Sequence, residues 1–163
     1  MESRVNSSNL RNVVLLIGSN IDPINNSKFA LKEISQLFPI IKVSSYWESK
    51  PIGSAGNNFI NFAVMISTSL DYDTLKFRIL RDIESHLGRM RTTDKYSPRT
   101  IDIDIIIDDE KITENGLWDF AHIAVPVSQL VPNFVHPDSG EKLKNIALEL
   151  KNSSWIRMIQ LEE

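Results

Sequence analysis

The residues with the most evident chemistry lie between positions 88 and 104. Within 88–100 a single acid, Asp94, occurs among four cations, Arg89, Arg91, Lys95 and Arg99. The next ten residues, 101–110, carry five acids and no basic residue. Arginines bind phosphate groups through paired hydrogen bonds, and clustered carboxylates bind hard metal ions. A basic segment beside an acidic one therefore indicates a site for an anionic substrate and its metal counter-ions.

Two of these acids are spaced to act together. Side chains alternate along a strand, so Asp102 and Asp104 project from one face of a strand predicted over 101–107. Residues two apart on a strand lie roughly 7 Å apart, and two carboxylates at that spacing bracket one or two cations. Magnesium suits this arrangement because it binds one or two carboxylates, several waters and substrate phosphate oxygens. The alternative interpretation is a solvated sheet face beside a basic loop.

Other classes of protein are excluded or disfavoured. The sequence contains neither G-x-x-x-x-G-K-[ST] nor G-x-G-x-x-G, so a P-loop and a Rossmann turn are not indicated. It has no cysteine, which excludes disulfides, thiolate zinc sites, iron–sulfur clusters and a cysteine nucleophile. The formal net charge of −3 argues against a nucleic-acid binder. No apolar stretch reaches the length of a membrane span, and we expect a cytoplasmic protein without a membrane partner.

The elements that position the acidic and basic residues alternate between strand and helix patterns. In chain order they are a strand over 13–17 ending in a turn at 18–20, a helix started by Asp22-Pro23 with Phe29, Ala30, Ile34, Leu37 and Phe38 at helical spacing, strands over 40–47 and 59–68, a helix over 71–87, and the strand over 101–107. This βαββαβ order predicts an α+β, ferredoxin-like core, a mainly antiparallel sheet with both helices packed on one face.

The remaining chain adds smaller elements to this core. We predict a short segment over 127–131, a helix over 141–150, and a strand or an arm over 155–161. A chain of 163 residues with 42% hydrophobic residues is typical of one domain with one core. We therefore expect a single domain over 1–163, with residues 1–11 flexible.

Together these segments resemble the 6-hydroxymethyl-7,8-dihydropterin pyrophosphokinase family of folate biosynthesis. The matching segments are I-G-S-N (17–20), S-S-Y-W-E-S-K-P-I-G (44–53), F-I-N-F-A-V (59–64), G-R-M-R (88–91) and S-P-R-T-I-D-I-D-I (97–105). The resemblance implies a ferredoxin-like fold. It also implies transfer of pyrophosphate from ATP to the hydroxymethyl group of the pterin, which gives AMP.

The same resemblance implies roles for individual positions. Asp102 and Asp104 correspond to the family's magnesium-binding aspartates, which implies two ions with ATP as co-substrate. Arg89 and Arg99 take the places of its catalytic, phosphate-contacting arginines. Nucleotide contacts are implied for Glu84, Arg91, Lys95 and Ile105, and pterin contacts for Ser49, Ile52, Phe59, Asn61 and His122.

The sequence also departs from the family pattern. The segment 109–122 is several residues shorter than the family's closing loop and lacks its His-Pro pair and its arginine. Lys50, Tyr96 and Ser97 replace a proline, a tryptophan and a glycine. A second hypothesis is therefore a catalytically impaired or repurposed relative that binds a pterin-like or nucleotide ligand. A third, an RNA-binding module, is disfavoured by the acidic net charge and by the absence of the aromatic sheet motif.

Overall fold

A computed structural model describes residues 9–53, 55–88 and 101–161. An antiparallel β-sheet forms its centre. In chain order the elements are β1 (Arg11–Ser19), α1 (Pro23–Leu37), β2 (Ile40–Val43), β3 (Tyr46–Ser49), β4 (Phe59–Thr68), α2 (Tyr72–Thr74), a π-helical segment (Leu75–Leu80), α3 (Arg81–His86), β5 (Asp102–Asp108), β6 (Lys111–Ile112), a 3-10 helix (Asn115–Trp118), α4 (Ala121–Leu130), α5 (Leu143–Asn152) and β7 (Ile156–Ile159).

The strand order of the sheet is β6-β5-β1-β4-β3-β7, and β2 also pairs with β4. The central strands β5, β1, β4 and β3 have the arrangement of a ferredoxin-like core. The predicted fold class is confirmed. The strand alternative for the apolar stretch 155–161 is confirmed as well, because β7 pairs with β3.

Helices cover both faces of the sheet. On one face α1 and the α2–α3 helix pack on Val13, Leu15 and Ile17, as the βαββαβ pattern predicts. On the other face α4 and α5 pack on Val14 and Leu16. Both faces of β1 are thus buried, which explains its continuous apolar run. None of the helices in the described ranges is long and apolar enough to cross a membrane.

The predicted strand over 40–47 is wrong, because the chain forms two strands there. Val43 pairs with Val64, but Trp47 pairs with Asn61, so the chain has one additional residue between the two pairs. Ser44 compensates for this bulge: its N–H donates to the Ala63 carbonyl at 2.9 Å, and its Oγ accepts from the Ala63 N–H at 2.7 Å. The bulge reorients β3 relative to β2 along the same partner strand.

Helix α4 also differs from the prediction of a short segment over 127–131. It runs from Ala121 to Leu130 with Pro126 inside it. A proline has no backbone N–H to donate within a helix, so Pro126 argues against a helix when only the sequence is considered. Seven of the ten residues are buried, and the segment therefore shows little of the amphipathic periodicity by which a surface helix is recognised.

One local prediction near the N-terminal end of the chain is wrong, and two others hold only in part. Arg11 already belongs to β1 and donates from Nη2 to Asp108 Oδ2 at 3.1 Å, so the flexible region does not extend to residue 11; residues 1–8 lie outside the described ranges. The predicted helix start is confirmed, because Asp22 is the N-cap residue and Pro23 begins α1, although the Asp22 side chain makes no capping hydrogen bond. Of the five apolar residues at helical spacing, Ala30, Ile34 and Phe38 are buried, whereas Phe29 and Leu37 are 43% and 56% exposed.

Candidate active site

One end of the sheet aligns the predicted metal and pterin residues on a single face. Asp102 pairs with Gly18, and Gly18 pairs with Asn61. Directly paired residues project from the same face of a sheet. Since neighbouring strands lie about 4.8 Å apart, the backbones of Asp102 and Asn61 are separated by roughly 10 Å. Asp104 occupies the next row on this face, opposite Leu16.

Gly18 lies between Asp102 and Asn61, at a position where no other residue fits. It is inside β1, and the predicted turn at 18–20 is therefore wrong for this position. A Cβ added to Gly18 would lie 2.6 Å from Asn61 Oδ1. The Asn61 amide is fixed in turn by its Nδ2, which donates to Ser49 Oγ at 3.0 Å. Asn61 and Ser49 are 4% and 7% exposed, so this hydrogen-bonded polar pair is buried beside the glycine.

The two aspartates concentrate negative charge in a half-buried place. The pKa of Asp104 is raised to about 7, first by burial, then by the charge of Asp102 and a hydrogen bond with it, and further by Glu84, whereas Lys76 opposes the shift. A divalent cation relieves such repulsion. Among the described residues, no group of three or more His, Asp or Glu side chains is arranged to hold a metal. Two carboxylates alone fit magnesium, whose remaining ligands are water and phosphate oxygens.

Glu84 fixes the strand that carries the aspartates. Its Oε1 accepts a hydrogen bond from the backbone N–H of Ile103 at 3.0 Å, and the residue is 4% exposed. β6 pairs only with Ile107 and Asp108, so Glu84 provides an acceptor at the start of β5, which β6 does not reach. The nucleotide contact implied for Glu84 remains a prediction.

The side chain of Ile105 is almost inaccessible to a ligand. It is 2% exposed and belongs to the core on the α1 face. Its carbonyl accepts a hydrogen bond from Thr113 Oγ1 at 2.7 Å. The nucleotide contact implied at this position would therefore use main-chain atoms.

Three of the five predicted pterin residues line a cleft of about 260 Å³ formed by residues 49–52, 119–122 and 154–156. Ser49, Ile52 and His122 line it. Phe59 pairs with Ser49 across β3 and β4. This cleft, which we call the acceptor cleft, thus continues from the Asn61–Ser49 pair away from the aspartates.

His122 enters the acceptor cleft from the first turn of α4. Burial lowers its pKa to about 4, and the nearby Glu114 carboxylate only partly opposes this shift. Its ring lies 5.6 Å from that of Phe120, measured between centroids. At neutral pH His122 therefore presents an uncharged imidazole with one donor and one acceptor nitrogen.

The four cations of the basic segment, Arg89, Arg91, Lys95 and Arg99, lie outside the described residues. Their predicted roles rest on the sequence.

Comparison with known proteins identifies the family. The sequence profile of the 7,8-dihydro-6-hydroxymethylpterin-pyrophosphokinase (HPPK) family matches residues 14–132. The chain belongs to this family. The 2-amino-4-hydroxy-6-hydroxymethyldihydropteridine pyrophosphokinase of Aquifex aeolicus is 31% identical over 84% of this chain and 91% of its own length. The predicted class of enzyme, an ATP-dependent pyrophosphokinase of folate biosynthesis, is confirmed.

Other HPPK relatives are longer than this chain. The folic acid synthesis protein of Dictyostelium discoideum is 34% identical over 94% of this chain, which spans 25% of that protein. The crystal structure of wild-type HPPK-DHPS from Plasmodium falciparum superposes with a TM-score of 0.68 over 86% of this chain and 41% of its own length, at 11% identity. At that identity the superposition shows the shared fold alone.

The segment 109–122 of this HPPK chain, for which the sequence predicts a shortened loop, is folded. β6 and the 3-10 helix contribute six of its fourteen residues, Leu117 is fully buried, and the Glu114 side chain accepts from the Gly116 N–H at 3.0 Å. Trp118 packs on His136 with 4.7 Å between ring centroids. These contacts tie the segment to the α4–α5 face.

Sequence reasoning missed the third side of the acceptor cleft. Residues 154–156 follow the last position matched by the HPPK profile, residue 132. Trp155 at the start of an apolar stretch indicated only a strand or an arm. The only signal that places it at the cleft is the pairing of β7 with β3, and strand pairing between distant segments is not readable from one sequence.

Proposed function

We propose that this chain transfers the pyrophosphoryl group of ATP to 6-hydroxymethyl-7,8-dihydropterin. The hydroxymethyl oxygen forms a bond to the β-phosphorus, the bond from that phosphorus to the oxygen bridging the α- and β-phosphates breaks, and AMP leaves. The hydroxyl proton is released. The proposal includes magnesium and a cytoplasmic location.

The observation that carries this proposal is the row of Asp102, Gly18 and Asn61 across three neighbouring strands. With Asp104 in the next row, two carboxylates and a buried amide share one face, and a residue without a side chain lies between Asp102 and Asn61. A nucleotide at the carboxylates and an acceptor at the amide would have their reacting ends over Gly18. Such proximity converts a reaction between two bound molecules into an effectively intramolecular one.

On the phosphate side, Asp102 and Asp104 would hold two magnesium ions. Bound magnesium neutralises phosphate charge and orients the transferring group. Arg89 and Arg99, in the family's catalytic positions, bind phosphate oxygens and stabilise charge that grows during transfer. Glu84 keeps both aspartates in place through the Ile103 N–H. Phosphoryl transfer needs little covalent help from the protein, so these binding and positioning effects carry most of the catalysis.

On the acceptor side, Asn61 reads the polar edge of the pterin from its position beside Ser49. Neutral His122 supplies a further hydrogen-bonding group at the opposite wall. Ile52 and Phe59 provide apolar surface for the ring. A few placed polar groups among apolar walls are typical of a small-molecule site.

One observation favours the second hypothesis, a binding protein with impaired catalysis. The segment 109–122, where the family has a closing loop, is packed through Leu117 and Trp118. A segment held in this way contributes less to closing over ATP than a free loop does. Binding of pterin with little turnover would support this alternative.

Both candidates are tested by incubating the protein with ATP, magnesium and the reduced hydroxymethyl pterin, and measuring AMP by chromatography. We expect AMP to appear only when the pterin is present. The Asp102→Asn variant serves as the control for contaminating activity. Pterin binding without AMP release would support the binding protein, and the absence of both would contradict the proposal.

A further inference from the structure

Residues 154–156 form a side of the acceptor cleft to which the sequence match assigns no role. β7 pairs with β3 so that Ile156 lies opposite Ser49. This register, continued by one residue, sets Trp155 opposite Lys50. Trp155 and Ser49 both line the cleft, and 44% of the Trp155 surface is exposed.

Two cations lie within cation–π distance of the indole of Trp155. Lys50 Nζ lies 5.4 Å from its ring centroid, and Arg157 Cζ lies 5.6 Å from it. Arg157 is anchored in turn, because its Nη2 donates to Glu48 Oε2 at 3.0 Å. Cation–π contacts of this length restrict the ring without burying it. The Trp155 side chain would therefore lose little conformational entropy when a ligand binds.

Three exposed apolar side chains converge on this cleft. Trp155, Phe120 and Ile52 line it and are 44%, 41% and 47% exposed. The polar groups Ser49 and His122 lie between them. Exposed apolar walls around a few polar groups suit a flat, partly apolar ring with polar edges.

We propose that Trp155 is a specificity-determining residue for the acceptor, forming an aromatic wall that selects a planar bicyclic heteroaromatic alcohol over smaller alcohols. This inference rests on the proposed function. Lys50 and Arg157 are positioning residues that hold the indole. Because Trp155 acts on ring binding and not on phosphorus, its loss weakens acceptor affinity without slowing transfer from the ternary complex.

The test compares Trp155→Ala and Trp155→Phe with the wild-type protein. The acceptor Kd is measured by calorimetric titration with 6-hydroxymethyl-7,8-dihydropterin, and KM and kcat are measured from AMP release. We expect Trp155→Ala to raise Kd and KM by about tenfold, with kcat and the Kd of a non-hydrolysable ATP analogue unchanged within about twofold. Trp155→Phe keeps an aromatic ring and should retain most of the affinity.

Two further variants separate a specific role from a structural one. Phe29→Ala removes an aromatic side chain of similar exposure, 43%, from α1, outside the cleft, and should leave the acceptor KM unchanged. Arg157→Ala should raise KM by about threefold with unchanged kcat, since it loosens the indole. If Trp155→Ala lost its fold, Trp155→Leu would replace it, because leucine keeps apolar surface but no planar ring.

An acceptor Kd for folded Trp155→Ala within about twofold of the wild-type value would overturn the inference and leave the proposed function standing. A wild-type protein that neither binds the pterin nor releases AMP would instead overturn the proposed function, and this inference with it.

Discussion

The amide oxygen of Asn61 lies directly over the α-carbon of Gly18, so close that a methyl group on Gly18 would come within 2.6 Å of it. The two residues are register partners on β1 and β4. This contact explains why a glycine is placed inside a buried strand, where it costs backbone entropy. It also fixes the amide at the point where the two substrates would meet.

We expect Gly18→Ala to lower both stability and acceptor affinity. The added methyl forces Asn61 away from Ser49, which overpacks the strand interior and costs about 1–3 kcal/mol of unfolding free energy. Urea unfolding and calorimetric titration with the pterin measure the two effects. In the double variant Gly18→Ala/Asn61→Ala the clash is absent, so the two substitutions should be non-additive. Additive effects would show that the contact does not limit position 18.

Loss of either aspartate should abolish magnesium-dependent turnover. We expect Asp102→Asn and Asp104→Asn to lower kcat/KM by at least about 100-fold, with magnesium-dependent binding of the ATP analogue lost as well. The fold should remain intact, and Asp104→Asn should raise the free energy of unfolding in metal-free buffer above pH 7. The reason is that burial and Asp102 raise the pKa of Asp104 to about 7, so the ionised carboxylate destabilises the folded state there.

Asp108 provides a matched control for these variants. It lies on the same strand, but its carboxylate pairs with Arg11 outside the row of Asp102 and Gly18. Asp108→Ala should therefore reduce stability and leave magnesium-dependent nucleotide binding unchanged. Equal loss of nucleotide binding in Asp108→Ala and Asp104→Asn would move the metal site away from Asp102 and Asp104.

Glu84 should be required for the position of β5. Glu84→Ala removes the acceptor of the buried Ile103 N–H, which costs about 1–3 kcal/mol of unfolding free energy. We also expect weaker binding of the ATP analogue, because both aspartates flank Ile103. Glu84→Gln keeps an acceptor oxygen and should lose less stability. Glu149→Ala, an exposed glutamate of α5, is the control, and a cost no larger at Glu84 than at Glu149 would contradict this role.

His122 should make the protein less stable in mild acid. Its pKa is about 4 in the folded protein, whereas a free histidine side chain has a pKa of 6.5, so between these values the unfolded state binds more protons. The free energy of unfolding should fall as the pH decreases from about 6.5 to about 4, by roughly 2–3 kcal/mol from this residue. Urea unfolding of wild-type protein and His122→Gln at pH 7.5 and about pH 4.5 measures it. Equal pH dependence in both proteins would contradict the buried, neutral imidazole.

Much of the core was predictable because its sequence pattern and its structure have the same period. The alternation of isoleucines with Asp102 and Asp104 places Ile103 and Ile105 in one core and both acids on the opposite face. The βαββαβ order then fixes which strands are neighbours. Ser49, Asn61 and His122 were identified by resemblance, and the structure brings all three to one end of the sheet.

Features that depend on contacts between distant segments were not predictable from the residues. The sequence pattern predicted a turn at Gly18, because the need for glycine arises only from its contact with Asn61, a residue of another strand. Ser44 was predicted within one continuous strand, because the bulge at this residue is defined only by its hydrogen bonding to Ala63 on the partner strand. The buried helix α4 contains Pro126 and lacks amphipathic periodicity, and Trp155 reaches the cleft only through the pairing of β7 with β3.

The central claim, that one end of this sheet moves a pyrophosphoryl group between two bound small molecules, is tested most directly by following the phosphorus atoms. The wild-type protein is mixed with magnesium, the reduced hydroxymethyl pterin and ATP radiolabelled at the β-phosphorus, and the products of a single turnover are separated. We predict that the label leaves ATP only in the presence of the pterin and appears entirely in the diphosphorylated pterin, with unlabelled AMP as the other product. Label recovered in ADP, or in free phosphate or pyrophosphate without labelled pterin, would contradict the claim.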